Sequence, residues 1–254
     1  MFLYEPNPVA FTVLGQDIRW YGICIAFGML AGLLIAYYRA PGHQISSEKV
    51  VDLALISIPA GVIGARLYYV LFNWELYEGD FFQIINLRNG GLAIHGGLLL
   101  GMLAAAIFCR VWKIAPLNLL DLMVPSIALA QAIGRWGNYF NQEAHGGPTD
   151  LPWAILVRGE MVHPTFLYES LWLLCMFFVL IFIDNRSKYN GRAFLLYGIL
   201  YSVERFFVEQ LRTDSLMMGP FKTAQLVSAV VFIVFLFLLI KMERKYNRKG
   251  RLFY

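Results

Sequence analysis

Gly134-Arg135-Trp136-Gly137-Asn138-Tyr139-Phe140-Asn141-Gln142-Glu143 closes an apolar window that begins near residue 116. The run sets an arginine, two asparagines, a glutamine and a carboxylate where a hydrophobic span leaves a bilayer. An ordinary helix end does not need that density of polar side chains. A guanidinium held near hydrocarbon costs about 2.5–3.5 kcal/mol on insertion scales, so an arginine in this position marks a site by default. Its natural guest is an anionic headgroup.

Composition supports the membrane reading that this stretch opens. The 254 residues are 59% hydrophobic and only 15% charged, too apolar for an exterior kept in water. Glu5 and Asp17 precede Arg19, so the opening residues lack the basic start and small-residue cleavage site of a secretory signal, and the first span is expected to be retained. Cys24, Cys109 and Cys175 lie far apart inside apolar runs, as packing residues do. His43, His95, His145 and His163 show no metal-ligand spacing, and no metal or other cofactor is expected. The net charge is +4, and the tail gathers Lys241, Arg244, Lys245, Arg248, Lys249 and Arg251. The positive-inside rule accounts for that tail without invoking nucleic acid, and it suits anionic lipid at the inner leaflet.

Apolar windows long enough to cross about 30 Å of hydrocarbon occur near residues 19–38, 50–72, 92–111, 116–136, 165–183, 193–211 and 221–240. The predicted fold is an all-α membrane protein of about seven transmembrane helices, forming one polytopic domain over residues 1–254. Arg39 with Lys49, Arg110 with Lys113, and Arg186 with Lys188 and Arg192 fall in alternate connections, while Glu75, Glu78 and Asp80 fall in the opposite set. This charge bias puts the N-terminus outside and the basic tail, residues 241–254, in the cytoplasm. The long connection over 138–164, with Pro148, Pro152 and Trp153, reads as a shaped extracytoplasmic cap.

With this topology four polar groups converge on the outer half. One is Arg135, Asn138, Asn141 and Glu143. Another is His95 within Gly90–Gly97, where flanking glycines allow a tight polar pocket; a structural, hydrogen-bonded histidine is the plainer alternative. A third is Tyr201, Glu204, Arg205, Glu209 and Arg212, of which 201, 205, 209 and 212 share a helix face by their spacing. Its plainer alternative is an Arg205–Glu209 pair that neutralises itself. Tyr21, in Trp20-Tyr21-Gly22, is the fourth, and aromatic residues at a span's end are commonly interface anchors. Arg66, Asp121 and Glu169 read first as interhelical cross-links.

Assembled in order, these motifs resemble the prolipoprotein diacylglyceryl transferase family over nearly the whole chain. They are RWYG at Arg19–Gly22, GGLAIHGG at Gly90–Gly97, GRWGNYFNQEAHGG at Gly134–Gly147, HPTFLYE at His163–Glu169 and YSVERFFVEQLR at Tyr201–Arg212. The third is the most specific, fitting G-R-x-G-N-aromatic-x-N-x-E-x-x-G, with Tyr139 where the family usually has Phe. The resemblance implies transfer of a diacylglyceryl group from phosphatidylglycerol to the lipobox cysteine of a preprolipoprotein in the bacterial inner membrane. It further implies a thioether product, release of glycerol phosphate, and a site facing the extracytoplasmic side. On this reading His95 is the candidate base for the partner's thiol. Arg135 and Arg205 grip the phosphate with donors that lysine cannot copy. Asn138, Asn141, Glu143, Tyr21, Tyr201 and Glu209 complete the expected substrate-binding set. A transporter predicts polar residues at mid-bilayer in paired halves, and a scaffold predicts few unpaired cations; the one-sided motifs fit neither.

Overall fold

A backbone that crosses hydrocarbon must satisfy its own hydrogen bonds, which for a chain of this composition means helices. The computed structural model describes residues 5–87 and 90–250. Helices occupy all seven apolar windows. In chain order the elements are β1 (Val9–Val13), β2 (Gln16–Arg19), α1 (Trp20–Arg39), α2 (Ser47–Phe72), α3 (Phe81–Ile85), α4 (Ile94–Val111) and α5 (Pro116–Asn141). They continue with β3 (Ile155–Val157), β4 (Glu160–Val162), α6 (Thr165–Asp184), α7 (Arg192–Leu211), β5 (Met217–Met218), β6 (Phe221–Lys222) and α8 (Thr223–Gly250). Six of the helices are long and apolar enough to cross a membrane. The exception is α7, whose apolar run is interrupted by Glu204, Arg205 and Glu209.

Helix ends differ from the sequence windows in informative ways. Pro116 sits at the start of α5, where its missing N–H costs nothing. That helix continues to Asn141, so the whole polar run from Arg135 to Asn141 is helical. Similarly α8 runs on to Gly250, carrying part of the basic tail as helix; Arg251 and residues 252–254 lie outside the described residues. Three short antiparallel hairpins, β1–β2, β3–β4 and β5–β6, were not foreseen from the apolar windows.

The described residues form two compact units. One holds the residues up to Ile35 together with those from Leu120 onward; the other is Ala36–Leu119.

Within the first unit, α5, α6 and α7 meet around Val124, Ala128, Ala132, Leu173, Met176, Phe177, Leu180 and Ala193. Lipid is as apolar as leucine, so burial alone does not drive such helices together; close packing and polar cross-links must contribute. Asp121 on α5 is one such cross-link. Its carboxylate accepts from the backbone N–H of Gly191 and, at 2.8 Å, from that of Phe194, capping the otherwise unsatisfied first turn of α7. Another begins at Ser170 on α6, which donates to the Ala132 carbonyl at 2.8 Å and accepts from Trp136 Nε1 at 3.2 Å. The connection after α5 has a small core of its own, with Ile155, Val157 and Val162 buried against Phe166. Its Gly147 N–H donates to the Leu211 carbonyl at 3.0 Å, fastening the connection to the end of α7.

In the second unit α2 packs along α4 through facing glycines. A side chain at Gly96 runs into the Gly64 carbonyl oxygen and Tyr68 Cβ, and one at Gly97 comes within 3.2 Å of the Gly61 carbonyl oxygen. Ahead of α4, Gly90 and Gly91 take left-handed φ angles of 78° and 73°. Arg66 on α2 ties this approach down. Its Nη1 donates to the carbonyls of Gly90 at 2.8 Å and Gly91 at 3.0 Å, Nε to Ile84 at 2.8 Å, and Nη2 to Gln83. The cross-linking role expected of Arg66 is thus made to backbone carbonyls and to the ring of Tyr77, whose centroid lies 4.9 Å from the guanidinium carbon.

Candidate active site

Three arginines of the first unit converge on one carboxylate. Glu169, on α6, is completely buried, with Oε2 3.2 Å from Arg135 Nη1 and Oε1 3.3 Å from Arg205 Nη1. A third guanidinium, that of Arg212 just past α7, stands 3.9 Å from Oε1. Arg205 also reaches Glu209 one turn later, Nη2 to Oε2 at 2.6 Å, so the self-neutralising pair exists but accounts for only one of its nitrogens. The helices deliver these groups for local reasons. Arg135 precedes Trp136, and Glu169 precedes Ser170, so the Trp136–Ser170 hydrogen bond registers α5 against α6 beside the ion pair. Arg205 lies within α7, and Arg212 is the extended residue that caps its end.

Burial is divided by sign. Glu169, Glu204 and Glu209 are sealed, at 0, 3 and 2% exposure. The side chains of Arg135, Arg205 and Arg212 keep 19, 20 and 12%. The exposed part of the cluster around Glu169 therefore lies on arginine side chains, with the half-exposed Asp214 carboxylate beside Arg212. Buried charges persist only when paired, and removing one member of such a set typically costs about 3–5 kcal/mol. Glu204 has no hydrogen-bond partner for either carboxylate oxygen among the described residues.

The end of α7 is held from several sides. Lys222 Nζ donates to the carbonyls of Glu209 at 2.6 Å and Arg212 at 2.8 Å, a cation placed on the helix's unsatisfied last turn. Arg212 makes a two-pronged link to Asp214, Nε to Oδ1 at 2.9 Å and Nη2 to Oδ2 at 2.8 Å. Hydrogen bonds from that guanidinium hold the Asp214 carboxyl below the ordinary carboxylate range.

The remaining expected residues make contacts of their own. Tyr21 lies against Gly137, where an added Cβ falls 2.8 Å from the tyrosine ring. Asn141 Nδ2 donates to Glu143 Oε1 at 3.4 Å, and the Asn138 carbonyl accepts from the Glu143 N–H at 3.1 Å, which folds Glu143 back on the end of α5. Tyr201 stacks on Tyr197, whose hydroxyl donates to Gln131 at 2.9 Å. His95 belongs to the second unit, where its ring lies 6.0 Å from that of Tyr68. Its flanking Gly96 and Gly97 serve the approach of α4 to α2.

Two residues of the centre were absent from the expected set. Glu169, a cross-link by sequence, is signalled by a carboxylate in the apolar body of α6, whose other acid, Asp184, is its last residue. Arg212 stood in the polar group of α7 but carried no role; its spacing from Arg205 was the available signal.

The sequence matches the family described as prolipoprotein diacylglyceryl transferase over residues 8–241. Among curated relatives, the phosphatidylglycerol–prolipoprotein diacylglyceryl transferase of Clostridioides difficile strain 630 is 52% identical over 222 residues, covering 87% of this chain and 90% of that protein. The protein of the same name from Finegoldia magna is 45% identical, with 93% and 96% covered. That of Clostridium botulinum strain Langeland is 43% identical, with 94% and 100% covered. The buried carboxylate ringed by guanidiniums is therefore built from motifs of a known lineage, and the chain belongs to the prolipoprotein diacylglyceryl transferase family.

Proposed function

We propose that Arg135, Arg205 and Arg212 bind the phosphate of phosphatidylglycerol while its diacylglyceryl group passes to the cysteine thiol of a preprolipoprotein lipobox. The observation that carries this reading is the convergence on Glu169 of three guanidiniums, from α5, α7 and the residue that caps α7, each on a side chain that stays partly exposed. Activity as a phosphatidylglycerol–prolipoprotein diacylglyceryl transferase, the first step of lipoprotein maturation, follows from the family.

The thiol first loses its proton, since the thiolate is the nucleophile. Its sulfur forms a bond to the terminal glycerol carbon of the diacylglyceryl group. The bond from that carbon to the phosphate oxygen breaks, and its electron pair stays on the oxygen. A thioether and glycerol phosphate result, and the thiol proton is returned to the phosphate product or to water. Negative charge on the phosphate grows through this step, so fixed cations at the site stabilise the transition state more than the ground state. The role of His95 as proton acceptor rests on its motif. Asn138, Asn141, Glu143, Tyr21, Tyr201 and Glu209 supply donors and acceptors for the headgroup and for the arginines.

The placement of positive charge supports one polytopic domain of seven spans, N-terminus outside and C-terminus cytoplasmic, in the bacterial inner membrane. In that orientation the connection over 138–164 caps the extracytoplasmic side, where a lipobox emerges from the membrane. Purified protein in detergent with phosphatidylglycerol is expected to add a diacylglyceryl group, read by mass, to a lipobox peptide. The same peptide with serine in place of its cysteine should remain unmodified; modification of the serine peptide, or none of the cysteine peptide, contradicts the reading.

A further inference from the structure

The guanidinium cluster already holds an anion of its own. Glu169 places Oε2 3.2 Å from Arg135 and Oε1 3.3 Å from Arg205 and 3.9 Å from Arg212, entirely from the buried side. Guanidinium donors are finite and set in a fixed fork. Arg205 divides its own between Glu169 and Glu209, and Arg212 divides its own between Glu169 and Asp214. A phosphate on the open edges competes with Glu169 for the same charges.

That competition answers a difficulty in the chemistry. A phosphodiester carries one negative charge, whereas the glycerol phosphate that leaves carries about 1.5–2 at neutral pH. A site whose grip strengthens with phosphate charge favours bond breaking, but it also retains the product. By linkage, two anions that draw on one set of cations weaken each other equally.

We propose that Glu169 is a positioning residue that acts through Arg135, Arg205 and Arg212 as a tethered competitor of the phosphate, drawing the guanidiniums back as glycerol phosphate departs and so setting the rate of product release. This inference rests on the diacylglyceryl-transfer reading. No covalent bond or proton moves in the step; guanidinium–phosphate contacts exchange for guanidinium–carboxylate contacts. A carboxylate that serves only to align the arginines has the opposite signature, because its loss disorders the phosphate site and weakens every phosphate ligand.

The test is inhibition of transfer by added glycerol phosphate, measured for the wild type, Glu169→Gln and Glu169→Asp in the same phosphatidylglycerol-containing detergent. Loss of a charge-assisted contact to the cations should tighten glycerol phosphate binding about tenfold in Glu169→Gln, with KM for phosphatidylglycerol and kcat both reduced. Glu169→Asp, which keeps the charge but retracts it, should fall between. Weaker inhibition with a raised KM in either variant overturns the proposal. If Glu169→Gln does not fold, Glu169→Asp carries the same sign. A measurement on the wild type is independent of both: glycerol phosphate should shift a carboxylate stretching band in the infrared difference spectrum, and an unchanged carboxylate region overturns the proposal. Wild-type turnover on the lipobox peptide tests the underlying reading separately. Its absence defeats that reading, whereas active wild type with the wrong inhibition pattern defeats only the role of Glu169.

Discussion

Arg205 on α7 and Glu169 on α6 are joined at 3.3 Å across two helices whose other facing residues are mostly apolar. The contact turns an arginine that already has an acid one turn away into part of a three-helix cluster. It also makes the geometry of the cationic surface depend on how α6 and α7 pack, so phosphate binding and helix packing share one set of bonds.

Replacing Arg135 with Ala removes one of the two closest guanidiniums from Glu169. Transfer to a lipobox peptide is expected to fall about a hundredfold or more, the scale of losing a fixed donor to a developing anion. Arg135→Lys should recover only part of this, since an ammonium cannot reproduce the planar fork. Initial rates across phosphatidylglycerol concentrations decide the matter; an Arg135→Ala protein with wild-type kcat/KM removes Arg135 from the site.

The Arg212–Asp214 link has a defined pH window. The folded-state carboxyl titrates below its ordinary value of 3.8, so the pair's contribution to stability is present above that value and is lost as pH falls through the lower folded one. Asp214→Asn should therefore melt below the wild type at pH 7. The difference should close in strong acid. Thermal melts in detergent across that range check it, and a gap that widens with acid contradicts the assignment.

Arg66 fixes the approach to α4 through four backbone carbonyls that would otherwise lose their donor. Substituting methionine leaves those carbonyls unsatisfied wherever water cannot reach, at about 1–3 kcal/mol for each group so stranded. The expected outcome is a lower thermal midpoint and faster hydrogen exchange over residues 90–97. Unchanged exchange in that segment rules out the clamp.

The apolar windows were legible because helix is the only regular structure that satisfies the backbone of this chain in hydrocarbon, and the helices fall where hydropathy put them. The polar ends were less so. Arg135 to Asn141 continued as helix because the following connection folds back onto α7 and caps it with a small core, a tertiary effect invisible in a local window. The hairpins before α1 and α8 escaped notice because strands of two to five residues have too little periodicity to stand out beside long apolar runs. For the site, spacing on α7 joined Arg205 to Glu209 correctly. It could not reveal that Glu169 of α6 lies between Arg135 and Arg205, since pairing across helices depends on rotation and packing that one sequence does not encode locally. The glycines beside His95 were legible as a close approach, and the approach they serve is that of α4 to α2.

On the proposed reading, the guanidiniums of Arg135 and Arg205 hold the lipid phosphate. Solid-state NMR of protein carrying nitrogen-15 arginine in phosphatidylglycerol bilayers can measure phosphorus–nitrogen dipolar coupling to the bound lipid. The account predicts guanidinium nitrogens close to phosphorus in the wild type, with most of that coupling lost when Arg135 and Arg205 are both replaced by lysine. Coupling of equal strength in that double variant, or none in the wild type, would contradict it.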